Sequence, residues 1–119
     1  MRFYPEQHLR RQSDFRRLRE KGKRINGGLF TLWFLSREDA EPKLRRVGVV
    51  ASIAAVGNAI QRNRAKRRLR EIFRRHQELI PAGSDLLLVA RAAANRQPFS
   101  VLEAKFIEIC RQFTPLSHA

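Results

Sequence analysis

Ala59-Ile60-Gln61-Arg62-Asn63-Arg64-Ala65-Lys66-Arg67-Arg68-Leu69-Arg70-Glu71-Ile72-Phe73-Arg74-Arg75-His76-Gln77-Glu78-Leu79-Ile80 sorts its residues onto two faces when wound at ~100° per residue. Ala65, Leu69, Ile72, Phe73, His76, Leu79 and Ile80 form one stripe, while Arg64, Lys66, Arg67, Arg68, Arg70, Arg74 and Arg75 spread over the remaining arc. Arg62 falls at the edge of the stripe, along the protein surface. The spacing predicts a helix over 59–80 that packs one side on a sheet and presents a cationic ridge on the other.

The sheet is supplied by the flanking segments. Val47-Gly48-Val49-Val50-Ala51 precedes the helix, and Leu86-Leu87-Leu88-Val89-Ala90 follows it behind the turn Pro81-Ala82-Gly83-Ser84-Asp85. Strand, helix and strand make a βαβ unit. Phe30-Thr31-Leu32-Trp33-Phe34-Leu35 is a third strand, on which Phe30 and Phe34 share a face and Trp33 points the other way. Upstream, Ser13-Asp14-Phe15-Arg16-Arg17-Leu18-Arg19-Glu20-Lys21-Gly22 reads as a short amphipathic helix with Ser13 as N-cap and Gly22 at C′. After Pro98, Ser100-Val101-Leu102-Glu103 has capping-box spacing, and Val101, Leu102, Phe106, Ile109, Cys110 and Phe113 recur at helical intervals, which predicts a closing helix. The order α, strands, α, strand, α places the chain in the α+β class.

The 119 residues carry 25 Lys+Arg against 11 Asp+Glu, a formal net charge of +14, with 43% hydrophobic residues. That is one domain, over 1–119, with a polyanionic partner. The charge is concentrated: residues 1–24 hold nine basic and three acidic residues, 62–75 hold eight and one, and the last third is neutral. Two basic surfaces on one fold are expected. No internal repeat is evident, and the one longer loop, Arg37-Glu38-Asp39-Ala40-Glu41-Pro42-Lys43, is too short to separate domains. Val47 to Ile60, the longest uncharged stretch, falls short of the ~20 apolar residues of a bilayer-spanning helix. The start Met1-Arg2-Phe3-Tyr4-Pro5-Glu6 lacks a following apolar region, and the single Cys110 precludes an internal disulfide and reads as a buried thiol. A cytoplasmic protein is expected.

On the ridge, Lys66/Arg70/Arg74 and Arg64/Arg68/Arg75 are held together with only Glu71 for relief, whereas a merely solvated face interleaves signs. Nucleic acid is the indicated partner. Arginine outnumbers lysine, and guanidinium groups fork to phosphates or stack on bases, which favours structured or single-stranded RNA over a membrane surface. A helix-based DNA-binding protein would need a short helix and turn ahead of the recognition helix, and Val49 to Gly57 reads as strand and loop. Phe15, Phe30, Trp33 and Phe34 are either core residues or a stacking surface for unpaired bases; composition leaves both open.

Catalytic constellations are missing. His8, His76 and His118 are scattered, no acidic cluster suits two metals, Ser52 and Ser84 lack a nearby base, and no Gly-rich phosphate loop occurs. A stand-alone nuclease is not indicated.

Arg62-Asn63-Arg64-Ala65-Lys66-Arg67-Arg68-Leu69-Arg70-Glu71 resembles the RNR signature of the bacterial ribonuclease P protein component family. Four further blocks agree in order and spacing: Asp14-Phe15 with Gly22, Phe30-Thr31-Leu32-Trp33, Arg46-Val47-Gly48, and Asp85-Leu86-Leu87-Leu88-Val89-Ala90-Arg91. The resemblance spans about residues 9–113. It implies an α-β-β-β-α-β-α sandwich with a four-stranded sheet, hence a further strand between Lys23 and Phe30, and a left-handed βαβ crossover. It also implies a subunit of a ribonucleoprotein that removes 5′ leaders from precursor tRNA, with catalysis and most Mg²⁺ binding carried by the RNA. On this chain the catalytic RNA would meet Arg62, Asn63, Arg64, Lys66, Arg67 and Arg70. The leader would lie in a cleft with Phe15, Arg11, Arg16, Arg19 and Trp33. Many relatives carry a basic pair where this chain has Ile53-Ala54, and an aromatic where it has Arg19. The competing assignment is a structural, ribosomal-type RNA-binding protein with no leader preference.

Overall fold

The computed structural model describes residues 3–37 and 43–113. The loop expected at 37–43 lies, from 38 to 42, outside the described residues, as does His118. The elements are α1 (Gln12–Lys21), β1 (Lys23–Asn26), β2 (Phe30–Ser36), β3 (Arg46–Val50), α2 (Ile53–Val56), α3 (Ala59–His76), β4 (Ser84–Ala90), α4 (Ala93–Arg96) and α5 (Phe99–Cys110). The sheet order is β1-β2-β4-β3. β1 and β4 each pair antiparallel with β2, and β3 pairs parallel with β4.

Alternation along the strands splits the apolar residues between two cores. Phe30, Leu32, Val47, Leu86 and Leu88 face α3 and α5, where they bury Leu69, Ile72, Phe73, Leu102 and Phe106. Leu87 on the opposite face packs with Leu18 of α1 and with Leu9, flanked by half-buried Phe15, Trp33, Val50 and Val89. Phe30 and Phe34 thus lie on one face and Trp33 on the other, as the alternation predicts. Cys110 is buried in the larger core.

The crossover β3-α3-β4 is left-handed. Val47 points its side chain into the α3 face, while its carbonyl accepts from the Leu9 N–H at 2.9 Å, on the outer edge of β3. For an L-residue in a strand running upward with its side chain toward the viewer, the carbonyl points right, so β4 lies to the left. The chain passes in front through α3 and moves left, against the usual right-handed rule.

Several boundaries differ from the sequence-based expectation. The N-cap of α1 is Arg11 rather than Ser13: the chain leaves its pairing on β3 at Leu9 and turns at once, so the Arg11 carbonyl accepts from Asp14 and Phe15. Gly22 caps α1 in an extended conformation (φ −79°), and its lack of a side chain is steric, since a Cβ would stand 2.4 Å from the Leu18 carbonyl oxygen. α3 stops at His76; a 3-10 turn over Gln77–Leu79 follows, and Ile80 is extended. Pro98, not Ser100, is the N-cap of α5, its carbonyl accepting from Val101 at 3.0 Å. The segment read as strand and loop ahead of α3 contains the single helical turn α2, capped by the Ser52 side chain, which accepts from Ala55 N.

Candidate nucleic-acid interface

α3 begins with a reciprocal cap: the Asn58 side chain accepts from Gln61 N, and the Gln61 side-chain oxygen accepts from Asn58 N, both at 2.9 Å. The Asn-x-x-Gln spacing was a legible signal for that start. It sets Arg62, Asn63 and Arg64 in the first turns, where the positive end of the helix dipole adds to their attraction for phosphate.

Asn63, Arg64, Arg67 and Arg70 are exposed; Arg62 and Lys66 are half-buried. Among the described residues, Arg62, Arg64, Lys66, Arg67 and Arg70 form no ion pair. Glu71, the one acid within the basic block, is fully engaged by Arg74 (2.7 Å) and Arg75 (2.9 Å). Hydrogen bonds from Arg74 above all hold its carboxyl at a pKa of about 2, so it stays ionised and spoken for. These five cations and Arg68 share a helix on which no described residue forms an ion pair with them, an arrangement that a polyanion relieves.

Other cations are structural. Arg46 forks onto Asp85 at 2.9 and 2.8 Å, Arg37 reaches the same carboxylate at 2.8 Å, and Asp14 lies 4.0 Å from Arg46. Asp85 is almost wholly buried, so this cluster ties the starts of β3 and β4 to α1. Hydrogen bonding to Asp85 raises the Arg46 pKa further. Sequence alone did not separate these arginines from the ridge.

The second basic surface lies on the opposite face of the sheet. The Phe15 ring rests on β3 at Gly48, where a Cβ would come within 2.2 Å of Phe15 Cε1. Phe15 and Trp33 both border the Leu87 cluster, with half-buried Val50 and Val89 beside them. Arg19 lies over the Trp33 ring at 6.0 Å and Arg24 at 5.5 Å. Arg24 was not foreseen: the β1–β2 register sets it opposite Trp33, and β1 had no signal of its own. Arg11, the N-cap of α1, and Arg16 within it are exposed. The structure brings Phe15, Trp33 and Arg19 to one side of the sheet.

The two surfaces meet around the β3 edge. His8 pairs with Val47, stacks on Phe3 at 4.0 Å, and lines a groove with Arg10 and Arg70. Burial first, then the charges of Arg10 and Arg70, lowers the His8 pKa, so its ring is neutral at pH 7. No group of three or more His, Cys, Asp or Glu side chains that could hold a metal ion gathers among the described residues. Nor is any helix among them long and apolar enough to cross a membrane.

Comparison with known proteins shows the family and the fold. The family profile described as Ribonuclease P matches residues 3–114. The chain is 37% identical over 99 residues to the ribonuclease P protein component of Desulfatibacillum aliphaticivorans, covering 83% of this chain and 80% of that one. Its fold is similar to the RNase P protein from Thermotoga maritima (TM-score 0.76, 28% identity, 91% of this chain and 98% of that chain). It is also similar to that from Staphylococcus aureus (TM-score 0.77, 24% identity, 91% and 95%), where the likeness is one of fold.

Proposed function

Because the chain belongs to the ribonuclease P protein family, a tRNA-processing ribonucleoprotein family, we propose that it is the protein subunit of a ribonuclease that removes the 5′ leader from precursor tRNA. The catalytic RNA binds the α3 ridge through Arg62, Asn63, Arg64, Lys66, Arg67 and Arg70. The single-stranded leader lies across the other face of the sheet, its bases against Phe15 and Trp33 and its phosphates near Arg11, Arg16, Arg19 and Arg24. Arg19, its guanidinium 6.0 Å from the Trp33 ring centroid, offers a guanidinium plane to a leader base or phosphate. The observation that carries this function is that Arg62, Arg64, Lys66, Arg67 and Arg70 form no ion pair among the described residues.

Hydrolysis itself falls to the RNA subunit. In this reading Mg²⁺ is bound mainly by the RNA subunit. The protein's part is electrostatic and positional: it offsets phosphate repulsion where two RNAs meet, and it holds the leader in register. The chain is expected to work in the cytoplasm, with neither DNA nor membrane as partner.

The test is cleavage of a precursor tRNA at low Mg²⁺ by a bacterial ribonuclease P RNA, with and without the protein, and with the protein alone. Correct 5′ cleavage stimulated only by the combination is expected. Binding without stimulation would instead make the chain a structural RNA-binding protein.

A further inference from the structure

A groove on the side of α3 that faces α5 adjoins the ridge and shares Arg67 with it. It is lined by Arg67, Arg68, Glu71 and Arg75 and closed at one end by Phe99, with a volume of about 280 Å³. The Phe99 ring and the aliphatic stems of the arginines form its walls, and guanidinium groups form its rim. Arg68 donates to the Gln97 carbonyl, which fixes the linker into α5 and with it the position of Phe99. Arg67, on the rim, is one of the α3 cations that form no ion pair among the described residues, so the groove is continuous with the ridge.

Arg75 covers the ring, its guanidinium 4.9 Å from the Phe99 centroid. Every carboxylate that pairs with Arg75 has a second hydrogen-bonding partner. Glu71 is also held bidentately by Arg74 at 2.7 Å, and the Glu103 carboxylate, 3.6 Å from Arg75, pairs with His76 Nε2 at 2.8 Å. Arg75 can therefore swing away from Phe99 without leaving a carboxylate unpaired. What gains from that movement is a ligand with a flat apolar face to replace the guanidinium on Phe99 and an adjacent negative charge to receive it. A base-paired helix offers the charge but not the face.

We propose that this groove takes a single unpaired nucleotide of the partner RNA, its base stacked on Phe99 and its flanking phosphates held by Arg67 and the displaced Arg75. This rests on the RNA-binding function proposed above and adds a stacking anchor for an extruded base on the α5 side of the ridge. Stacking of this kind tolerates any base but requires that it be extruded.

The probe is a bacterial ribonuclease P RNA, titrated with the wild-type chain, Phe99→Leu and Phe99→Trp, each checked for thermal stability. Phe99→Leu retains apolar packing and should weaken binding about 5- to 150-fold, while Phe99→Trp should bind within about twofold of wild type. A photo-crosslinking phenylalanine analogue in place of Phe99 should label one unpaired nucleotide. Equal affinity for all three chains, equal losses in Leu and Trp, or crosslinks confined to paired helices would each overturn the groove assignment alone. Failure of the wild-type chain to bind the RNA would overturn the proposed function with it.

Discussion

Replacing Lys66 and Arg67 together by alanine removes two of the six α3 cations (Arg62, Arg64, Lys66, Arg67, Arg68 and Arg70) that form no ion pair among the described residues. Each phosphate contact contributes ~0.7 to 0.9 to the slope of log K against log salt, so the pair accounts for a flattening of ~1.4 to 1.8. Between 50 and 200 mM salt that difference amounts to ~7- to 12-fold: the affinity deficit of the variant should shrink by about tenfold across the range. The assay is equilibrium binding to a ribonuclease P RNA at four or more salt concentrations. Lys105→Ala is the matched control, because Lys105 pairs with Glu108 at 3.0 Å in the neutral last third and should leave the slope unchanged. An unaltered slope in the double variant, or an equal flattening in the control, would refute the ridge as the RNA surface.

Three further outcomes follow from the geometry. Phe15→Ala should lower affinity for leader-bearing tRNA more than for mature tRNA, and equal losses would assign Phe15 to folding alone. Gly48→Ala would place a methyl 2.2 Å from Phe15 Cε1; urea denaturation should show about 1 to 3 kcal/mol less stability as the ring is driven out, with unchanged stability ruling out the close approach. Glu71 has a folded pKa of about 2 against the ordinary 4.5, so its contribution is fully present above pH 4.5 and is lost as pH falls toward 2. The carboxylate is about a third exposed, which limits the stability difference between wild type and Glu71→Gln to a few tenths of a kcal/mol at pH 7. That difference should vanish by pH 2 in thermal melts, and a difference that grows on acidification would contradict the ion-pair account.

Much of the architecture was legible because it is written in local periodicity. The stripe from Ala65 to Phe73, the alternation across Phe30 to Leu35, and the apolar runs before and after α3 each bury the residues their spacing selects. The basic blocks were legible for the same reason: a run such as Arg62 to Arg70 has one acid after it, and a helix keeps those charges close wherever it packs. β1 was not legible from its own residues. Lys23-Arg24-Ile25-Asn26 has one apolar position and is a strand because β2 offers it an edge to pair with. The caps of α1 and α5 were misplaced because Ser13 and Ser100 carry capping propensity, yet the chain's pairing at Leu9 and the fixed φ of Pro98 start those helices first.

Sequence by itself therefore determined the class of elements, the apolar face of each, and the existence of two cationic blocks, since all three depend on residues a few positions apart. Tertiary structure alone decided which cations remain available. Arg37 and Arg46 look no different from Arg62 or Arg64 until β3 and β4 are set in parallel and buried Asp85 draws the first two inward. It likewise brought Arg24 beside Trp33, His8 beside Arg70, and Phe99 beside Arg67, and it set the left-handed path of the crossover. These are pairings between residues distant in the chain, chosen by burial and hydrogen-bond satisfaction over the whole fold, and no local pattern encodes them.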